Sequence, residues 1–368
     1  MHTLLSYLKY FLFPFSVLYA SILSLRNLMF DWGYLKSTSF DLPIISVGNI
    51  SVGGTGKTPH TEYLIKILQD KYKLASLSRG YKRQSKGFVL ANEHSNSLDL
   101  GDEPMQMKRK FPSLSVAVDA DRVNGVQNLL SSANGDQLNC ILLDDAYQHR
   151  YIKPGLSILL IDYNRPISGD FVMPMGRLRE RAAGKKRADI IIVSKCPTEL
   201  SDSEAQKLRN DITLLSHQKL YFTSLDYAPL ESVFPSDENQ ISLKDCDKES
   251  FGILLVTGIA NPTPLRNYLQ EFSSEFDEIR FPDHYAFNEK DLNLIETHFN
   301  DLKTKNKVII TTEKDAIRFL DMPIRSEILQ KNMAYIPLQI KFMHQTESQF
   351  SQQIHGFVEG FKKNRSKD

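Results

Sequence analysis

Residues 43–68 read PIISVGNISVGGTGKTPHTEYLIKIL, an apolar run followed by a glycine-rich turn, a Lys-Thr pair and a second apolar-rich stretch. A strand, glycines, Lys-Thr and a helix in that order form the pattern of a phosphate-binding loop, where backbone N–H groups and a helix start surround an anion. Lys57 would bring its charge to the outer phosphates, and the Thr58 hydroxyl would ligate Mg²⁺. The segment predicts an α/β fold of the P-loop NTPase type, a parallel sheet flanked by helices. The candidate nucleotide-binding residues of the loop are Gly53, Gly54, Thr55, Gly56, Lys57 and Thr58.

One position departs from the strict G-x-x-x-x-G-K-[ST] spacing, which asks for glycine at position 51 where this chain has Ser51. We expect Gly48, Gly53 and Gly54 to supply the conformational freedom of the turn. The alternative is an ordinary glycine-rich turn between a strand and a helix. The complete order of strand, glycines, Lys-Thr and helix favours nucleotide binding.

The composition fits a globular protein in a reducing, cytoplasmic setting. A chain of 368 residues with 41% hydrophobic side chains can bury the cores of two α/β domains. Lys and Arg number 45 against 44 for Asp and Glu, so the net charge of +1 gives no reason to expect nucleic-acid binding. Three widely spaced cysteines without a C-x-x-C pair indicate neither a disulfide framework nor a zinc site.

The N-terminus is apolar. Residues 10–25 contain no charged side chain, and Lys9 and Arg26 flank them. The run is short for a full membrane span, and no small-residue cleavage site follows it. Three interpretations are open: a helix lying on the cytoplasmic leaflet, a marginal span, and a helix buried in a core or a partner. Basic flanks and aromatic residues favour the first, so we predict a membrane-associating helix over residues 1–30.

Strands and helices alternate after this segment, which predicts a parallel sheet with ligands at the carboxyl ends of its strands. A stretch rich in Pro, Ser, Asp and Asn interrupts the pattern between about residues 225 and 250. We predict a nucleotide-binding core over 31–228, a linker over 229–250 and a smaller α/β domain over 251–368. The expected strands are 43–50, 74–77, 140–144, 156–162 and 189–194 in the core, and 252–257 and 308–312 in the smaller domain.

Two acidic motifs are further candidates for chemistry. Asp144 and Asp145 end an apolar strand, where a nucleotide-binding sheet holds Mg²⁺ or its waters. Asp102 and Glu103 precede Pro104, which we expect to keep Glu103 extended and to direct the two carboxylates to different sides. One of them could then meet a metal and the other a substrate proton. Turn-forming aspartates and a solvent-facing acidic turn are the competing interpretations.

A histidine and several cations complete the candidates. His284, in the segment FPDHY, is a possible proton carrier, and the competing interpretation is an ordinary surface histidine. The basic loop 78–83, SRGYKR, follows a predicted strand and can meet an anionic group. Further cations that could neutralise a transferring phosphate are Arg122, Arg177 and Arg179.

These motifs belong to a series of ordered blocks: SVGNISVGGTGKTP, LSRGY, GDEP, DDAYQHR, PMGRLRE, VTGIANP, FPDHY and TTEKDA. In this order, and over nearly the whole chain, they resemble the tetraacyldisaccharide 4′-kinase family, the lipid A kinases of Gram-negative bacteria. The resemblance implies transfer of the ATP γ-phosphate to the 4′-hydroxyl of a tetraacylated glucosamine disaccharide 1-phosphate, with Mg²⁺, at the cytoplasmic face of the inner membrane. We expect no nucleic-acid ligand and no obligate protein partner.

The resemblance also implies roles for individual residues. Lys57 and Thr58 would serve the nucleotide and the metal, and Glu103 the metal. Asp102 paired with His284 would serve the acceptor hydroxyl, and because these two residues fall in different predicted domains, we expect the domains to close over ATP. The second acidic site would consist of Asp144, Asp145 and His149, with Arg122 and Arg179 as cationic positions. We infer further that the substrate 1-phosphate meets Arg79, Lys82 or Arg83.

Two further functions share the phosphate loop. One is a membrane-associated nucleotide switch or metallochaperone-like ATPase, but the chain lacks the N-K-x-D motif that reads guanine. The second is a soluble P-loop enzyme acting on a small acid or a cofactor precursor, which leaves the apolar N-terminal segment unexplained.

Overall fold

The structure is a computed structural model of the chain and describes residues 11–133, 135–234, 243 and 251–365. Residues 1–10 of the predicted membrane-associating helix lie outside the described residues, as do residues 235–242 and 244–250 of the predicted linker. Two β-sheets organise the described chain, one of nine strands and one of five.

The nine-stranded sheet is mostly parallel, and the phosphate loop follows its central strand. Its members are β1 (Ile44–Asn49), β2 (Leu74–Ser78), β3 (Val89–Leu90), β4 (Ser115–Val118), β5 (Cys140–Asp144), β6 (Leu156–Asp162), β7 (Ile190–Ser194), β8 (Lys219–Tyr227) and β14 (Leu338–Phe342). Across the sheet the order is β14-β8-β7-β6-β1-β5-β2-β4-β3, with the two edge strands β14 and β3 antiparallel to their neighbours. The predicted α/β architecture with a parallel sheet is confirmed.

The five-stranded sheet has the order β11-β10-β12-β13-β9. Its members are β9 (Glu231–Ser232), β10 (Phe251–Thr257), β11 (Glu275–Arg280), β12 (Asn306–Thr312) and β13 (Met333–Ile336). Strand β9 lies within the predicted linker and pairs antiparallel with β13, so the start of that segment belongs to the second sheet.

Helices cover the faces of both sheets, and strands β1, β5, β7 and β10 are consequently buried at every residue. This double cover explains why these strands are almost uninterrupted apolar runs in the sequence. The helices are α1 (Phe13–Asp31), α2 (Lys57–Leu68), α3 (Ser97–Leu100), α4 (Asp102–Lys110), α5 (Arg122–Leu130), α6 (Asp202–Ile212), α7 (Thr263–Leu269), α8 (Glu289–Asp301), α9 (Glu313–Leu320), α10 (Glu327–Asn332) and α11 (Glu347–Arg365).

The end of the chain returns to the first sheet. Strand β14 pairs with β8, and α11 buries Phe350 and Ile354 in the hydrophobic cluster that contains Leu64 of α2. The sequence-based division kept this segment within the domain 251–368, and the sequence analysis assigned no strand to residues 338–342. The division into domains stays a prediction, and this return is the observed departure from it.

Helix α1 has an apolar side that faces solvent. The helix is 19 residues long and its mean hydropathy is 1.3, so by length and composition it could span a membrane. Only 17% of its most apolar stretch of 18 residues is buried. Phe15, Leu18 and Ile22 are exposed by 54%, 61% and 58%. Burial of this segment in the chain's own core is therefore wrong. A helix on the leaflet, a marginal span and a helix covered by a partner are each consistent with this exposure.

Polar contacts bind the opposite side of α1 to the nucleotide-binding core. The Ser16 hydroxyl accepts a hydrogen bond from the Met175 N–H at 2.8 Å. The Asn27 amide donates to Glu180 at 3.2 Å, and Arg150 donates to the Asn27 carbonyl at 2.8 Å. The helix thus has a polar side held by the protein and an apolar side turned outwards.

Candidate nucleotide and acceptor site

A cavity of about 950 Å³ opens at the carboxyl ends of the central strands. The phosphate loop and the turns after β2 and β5 form one wall, helix α1 a second, and loops of the five-stranded sheet a third. The predicted site residues on these walls are Gly53, Gly54, Lys57, Glu103, Arg122, Asp144, Asp145, His149, Arg179 and His284.

The remaining predicted site residues lie next to the cavity. Gly56 and Thr58 belong to the end of the loop and the first turn of α2. Thr55 is buried, and its hydroxyl accepts a hydrogen bond from the Asn49 amide at 2.8 Å, so this side chain stabilises the loop from within. Asp102 contacts the ring of His284.

The phosphate loop needs no glycine at position 51, because Ser51 lies in an antiparallel β-bridge with Leu178. Extended backbone of this kind suits any residue. The left-handed φ angles fall on Gly53 and Gly56, at 103° and 81°. Of the glycines expected to supply the turn, Gly53 is confirmed in that role, whereas no left-handed φ is found at Gly48 and Gly54.

Asp145 holds two cations beside the phosphate loop. One of its carboxylate oxygens lies 3.7 Å from Lys57 Nζ, and Arg179 Nη1 donates to both oxygens at 2.9 and 3.1 Å. Arg177, the second cation considered in this segment, is not on the cavity wall. The structure therefore brings Lys57, Asp145 and Arg179 together beside the phosphate loop.

Asp102 and Glu103 begin helix α4 instead of forming an extended segment. The prediction for Glu103 is wrong because Pro104 occupies the first helical turn, where a backbone N–H has no intrahelical partner and its absence costs nothing. The two carboxylates have different neighbours: Asp102 contacts His284 in a loop of the second sheet, and Glu103 lines the cavity.

Asp144 is a buried carboxyl in an acidic neighbourhood. Its Oδ1 accepts a hydrogen bond from the Thr61 hydroxyl at 3.1 Å. Burial, and then the nearby charges of Glu103 and Asp145, raise the pKa of Asp144 to about 7, while Lys57 acts in the opposite direction.

The same residues fit a magnesium ion that arrives with a nucleotide. A cation between Glu103 and Asp144 would relieve the repulsion that raises the pKa of Asp144. Within the described residues, no three His, Cys, Asp or Glu side chains converge as a complete metal cage. Mg²⁺ characteristically takes one or two carboxylates and completes its shell with phosphate oxygens and water, so a partial oxygen set is the expected one.

The Asp102–His284 pair is formed as the resemblance implies. Oδ2 of Asp102 lies 2.9 Å from Nδ1 of His284, and Nζ of Lys314 lies 3.0 Å from Nε2 of the same ring. Because an ammonium group can only donate, Nε2 accepts and Nδ1 carries the ring proton, which it donates to Asp102. His284 has a left-handed φ of 62°, and its backbone N–H is bonded to the Gly258 carbonyl at 3.2 Å.

Arg318 of α9 binds both oxygens of Asp102, and its Nη2 lies 3.2 Å from Nδ1 of His284. Its Nε donates to Oδ1 at 3.1 Å, its Nη2 donates to Oδ2, and its Nη1 donates to buried Asp315 at 3.0 Å. Burial acts to raise the pKa of Asp102, but hydrogen bonds from His284 and Arg318 and the charge of Arg318 outweigh it and hold that pKa well below its usual range. Asp102 is therefore a weak proton acceptor by itself.

Lys314 and Arg318 are site residues that the sequence analysis missed. Lys314 lies in the TTEKDA block, which was noted without a role, and Arg318 follows that block by two residues. Their spacing of four places them on one face of α9. A charged pair on one face directly after a strand end was the available signal.

The three cations of the basic loop 78–83 differ in whether they line the cavity and in whether other groups already occupy their N–H donors. Arg79 is exposed and lines the cavity. Arg83 is bonded to the Gly87 carbonyl at 2.6 Å and to Ser85 at 3.2 Å, so its donors are largely occupied. Lys82 is not on the cavity wall.

Arg122 and His149 each keep a polar atom without a protein partner. Arg122 is buried and donates to the Asp119 and Ala120 carbonyls at 3.0 and 3.1 Å, and burial lowers its pKa to about 10. Within the described chain, no hydrogen bond is made by Nε of Arg122 or Nδ1 of His149. Both residues line the cavity.

Comparison with known proteins identifies the family. The family model of Tetraacyldisaccharide-1-P 4′-kinase, LpxK, matches residues 8–358. The chain belongs to this family. Among its relatives, the tetraacyldisaccharide 4′-kinase of Bacteroides thetaiotaomicron is 45% identical over 360 residues, 96% of this chain and 94% of the relative. That of Flavobacterium johnsoniae is 47% identical over 341 residues, 93% of this chain and 95% of the relative.

A solved structure of the family has the same architecture. LpxK from Aquifex aeolicus, in complex with ATP, superposes with a TM-score of 0.71 at 27% identity, over 95% of this chain and 99% of that one. The resemblance and the P-loop fold inferred from the sequence are both confirmed. Because this LpxK family is one of kinases, the nucleotide switch and the enzyme acting on a small acid are set aside.

Proposed function

We propose that this chain transfers the γ-phosphate of ATP to the 4′-hydroxyl of a tetraacyldisaccharide 1-phosphate, in line with the names of its relatives. The observation that carries the proposal is one cavity shared by a phosphate loop, an aspartate-histidine pair and an apolar helix. A nucleotide tail, an acceptor hydroxyl and acyl chains would each meet matching chemistry there.

The phosphate side of the reaction would depend on charge and position. Lys57 and Arg179, held beside the loop by Asp145, would bind the outer phosphates and oppose the charge that grows on them. Mg²⁺ held by Thr58, Glu103 and Asp144 would supply further positive charge at the same oxygens. Direct in-line attack by the sugar hydroxyl needs no covalent enzyme intermediate.

The acceptor proton would go to the Asp102–His284 pair. The low pKa of Asp102 argues against this carboxylate as the sole base. Instead, Nε2 of His284 would take the hydroxyl proton once the acceptor replaces Lys314 at that atom, and Asp102 would hold Nδ1–H and stabilise the imidazolium. Phosphoryl transfer through a loose transition state places only a modest demand on the base.

We also propose that α1 holds the enzyme on the cytoplasmic face of the inner membrane, as a peripheral or monotopic protein. Support comes from its solvent-facing apolar side chains and from Tyr19 and Leu23, which reach the cavity wall from the same helix. Acyl chains could then stay at bilayer depth while the sugar enters the cavity. Arg79, exposed at the cavity, is the proposed contact of the 1-phosphate.

ATP labelled with ³²P at the γ position tests the proposal. Label should enter a lipid extract only when the acylated disaccharide monophosphate is supplied. Lys57→Ala should abolish transfer, whereas Lys66→Ala, an exposed lysine of the same helix, should retain it. Release of labelled phosphate at the same rate with and without lipid would instead indicate a nucleotide hydrolase and overturn the proposal.

A further inference from the structure

Three consecutive carbonyls of the phosphate loop each accept a hydrogen bond from a side chain outside the loop. The Lys195 ammonium donates to the Gly54 carbonyl, the Ser194 hydroxyl donates to the Thr55 carbonyl at 2.8 Å, and His60 Nδ1 lies 2.7 Å from the Gly56 carbonyl. None of these three donors is on the wall of the cavity.

The backbone N–H groups of the same loop, unlike its carbonyls, are not bonded to other described groups. Within the described residues, no hydrogen bond engages the backbone N–H groups of residues 53–58. A peptide unit points its N–H and its C=O in opposite directions. The loop can therefore present free N–H groups to an anion only while its carbonyls face away from that anion, towards donors that the rest of the protein supplies.

Each of the three donors is itself held. His60 is buried, and its Nε2 lies 3.0 Å from the Thr223 hydroxyl of β8. Lys195 also contacts the buried carboxylate of Asp162 at 2.9 Å. Ser194 is fully buried at the end of β7. The donors thus come from α2, β7 and the turn after β7, and each is tied to a different part of the sheet.

The tautomer of the His60 ring follows from its contacts with the Gly56 carbonyl and the Thr223 hydroxyl. With Nδ1 donating to the Gly56 carbonyl, Nε2 is the acceptor of the Thr223 hydroxyl proton. Both ring nitrogens are then satisfied in a single tautomer.

We propose that His60, Ser194 and Lys195 are positioning residues that hold the phosphate loop in its anion-binding conformation by capping the carbonyls of residues 54–56. We call these three side chains the carbonyl clamp. The clamp acts on nucleotide binding and not on the acceptor, and this inference rests on the proposed ATP-dependent function. It also explains how a loop with serine at position 51 keeps one conformation, because side chains outside the loop hold three of its peptide units.

Substitutions of His60 give the first test. His60→Leu removes the side-chain donor to the Gly56 carbonyl, which keeps only the backbone N–H of residue 60 at 3.2 Å. We expect the Kd for Mg·ATP in calorimetry and the KM for ATP to rise about tenfold, the size of one lost hydrogen bond. The KM for the lipid acceptor should stay within about twofold of wild type. His60→Gln restores an N–H donor of similar reach and should recover most of the ATP affinity.

A matched pair of threonines provides the control. Thr223→Val removes the hydroxyl behind His60, and Thr311→Val removes a hydroxyl that has no partner in the described chain, both in fully buried strand positions. We expect about a threefold rise in KM for ATP from the first change and none from the second.

Lys195→Met removes the donor to the Gly54 carbonyl and also the cation beside buried Asp162, so it should raise KM for ATP and lower the melting temperature while KM for the acceptor stays within about twofold of wild type. Lys195→Arg should restore both properties.

The outcomes separate the clamp from the function on which it rests. If wild type binds Mg·ATP and both His60→Leu and Lys195→Met bind it equally well, the clamp is wrong and the proposed function stands. If the KM values for ATP and acceptor rise by the same factor in both variants, the residues are only structural and the clamp is again wrong. If wild type itself shows no affinity for Mg·ATP, the proposed function fails first.

Discussion

Nδ1 of His284 lies 2.9 Å from Oδ2 of Asp102, although 182 positions separate the two residues along the chain. The contact joins the start of α4, beside the nine-stranded sheet, to a loop of the five-stranded sheet. We expected domain closure to bring this pair together, and the structure has it formed already. Closure over ATP during catalysis stays a prediction, but assembly of the pair does not depend on it.

Removal of the carboxylate from this pair should slow the reaction itself. Asp102→Ala is expected to lower kcat by about 10² to 10⁴-fold, because the histidine loses the group that orients it and stabilises its charged form. The KM for ATP should change little, since Asp102 is not on the cavity wall. Steady-state kinetics with a micellar acceptor measures both, and unchanged turnover would remove Asp102 from the mechanism.

Arg318 should set the pH range of the Asp102–His284 pair. Arg318→Gln removes a charge that lowers the pKa of Asp102, so the carboxyl will take up a proton at a higher pH than in wild type. The acid limb of the kcat/KM profile should therefore move towards neutral pH. Arg325→Gln, at an exposed arginine after the same helix, is the control and should leave the profile in place. An identical acid limb in both variants would contradict the assignment.

Asp144 should make the free enzyme less stable as pH rises. Its folded-state pKa is raised to about 7 from the usual value of 3.8, so the stabilising contribution of the protonated form is present at pH 4 and is lost as pH rises through 7. Asp144→Asn is permanently neutral and can still accept from Thr61. Without Mg·ATP, its melting temperature should match wild type at pH 4 and exceed it at pH 8. Equal melting temperatures at pH 8 would contradict this prediction.

The outward side of α1 should govern membrane association. The double change Leu18→Glu and Ile22→Glu puts charges at positions more than half exposed, so folding should be retained while co-sedimentation with anionic lipid vesicles is lost. The KM for a micellar acceptor should rise more than the KM for ATP. Leu294→Glu, a comparable change on α8, should do neither. Equal vesicle binding by wild type and both variants would rule out α1 as the anchor.

The parts of the site that follow single strands were predictable from the sequence. The phosphate loop and the Asp144-Asp145 pair each follow an apolar run, and a parallel sheet brings the carboxyl ends of such runs to one edge. Local chemistry therefore sufficed for their identity and approximate location. The resemblance to a known family extended this to His284, which spacing alone left ambiguous.

Contacts between distant segments were not predictable in the same way. The pairing of Ser51 with Leu178 and the binding of Asp102 by Arg318 join parts of the chain that no local pattern relates. The same holds for strand β14, whose alternating sequence fits the edge of either sheet. The prediction of an extended Glu103 was wrong because the effect of Pro104 on the preceding residue depends on whether a helix starts there.

The most direct test of the account is the position of the transferred phosphate. Purified enzyme, Mg·ATP and the acylated disaccharide 1-phosphate should give a bisphosphorylated lipid in which ³¹P NMR correlates the new phosphorus with the proton on the 4′-carbon, and Lys57→Ala should give none. A product phosphorylated at another hydroxyl, or the same product from Lys57→Ala, would contradict the proposed geometry of the cavity.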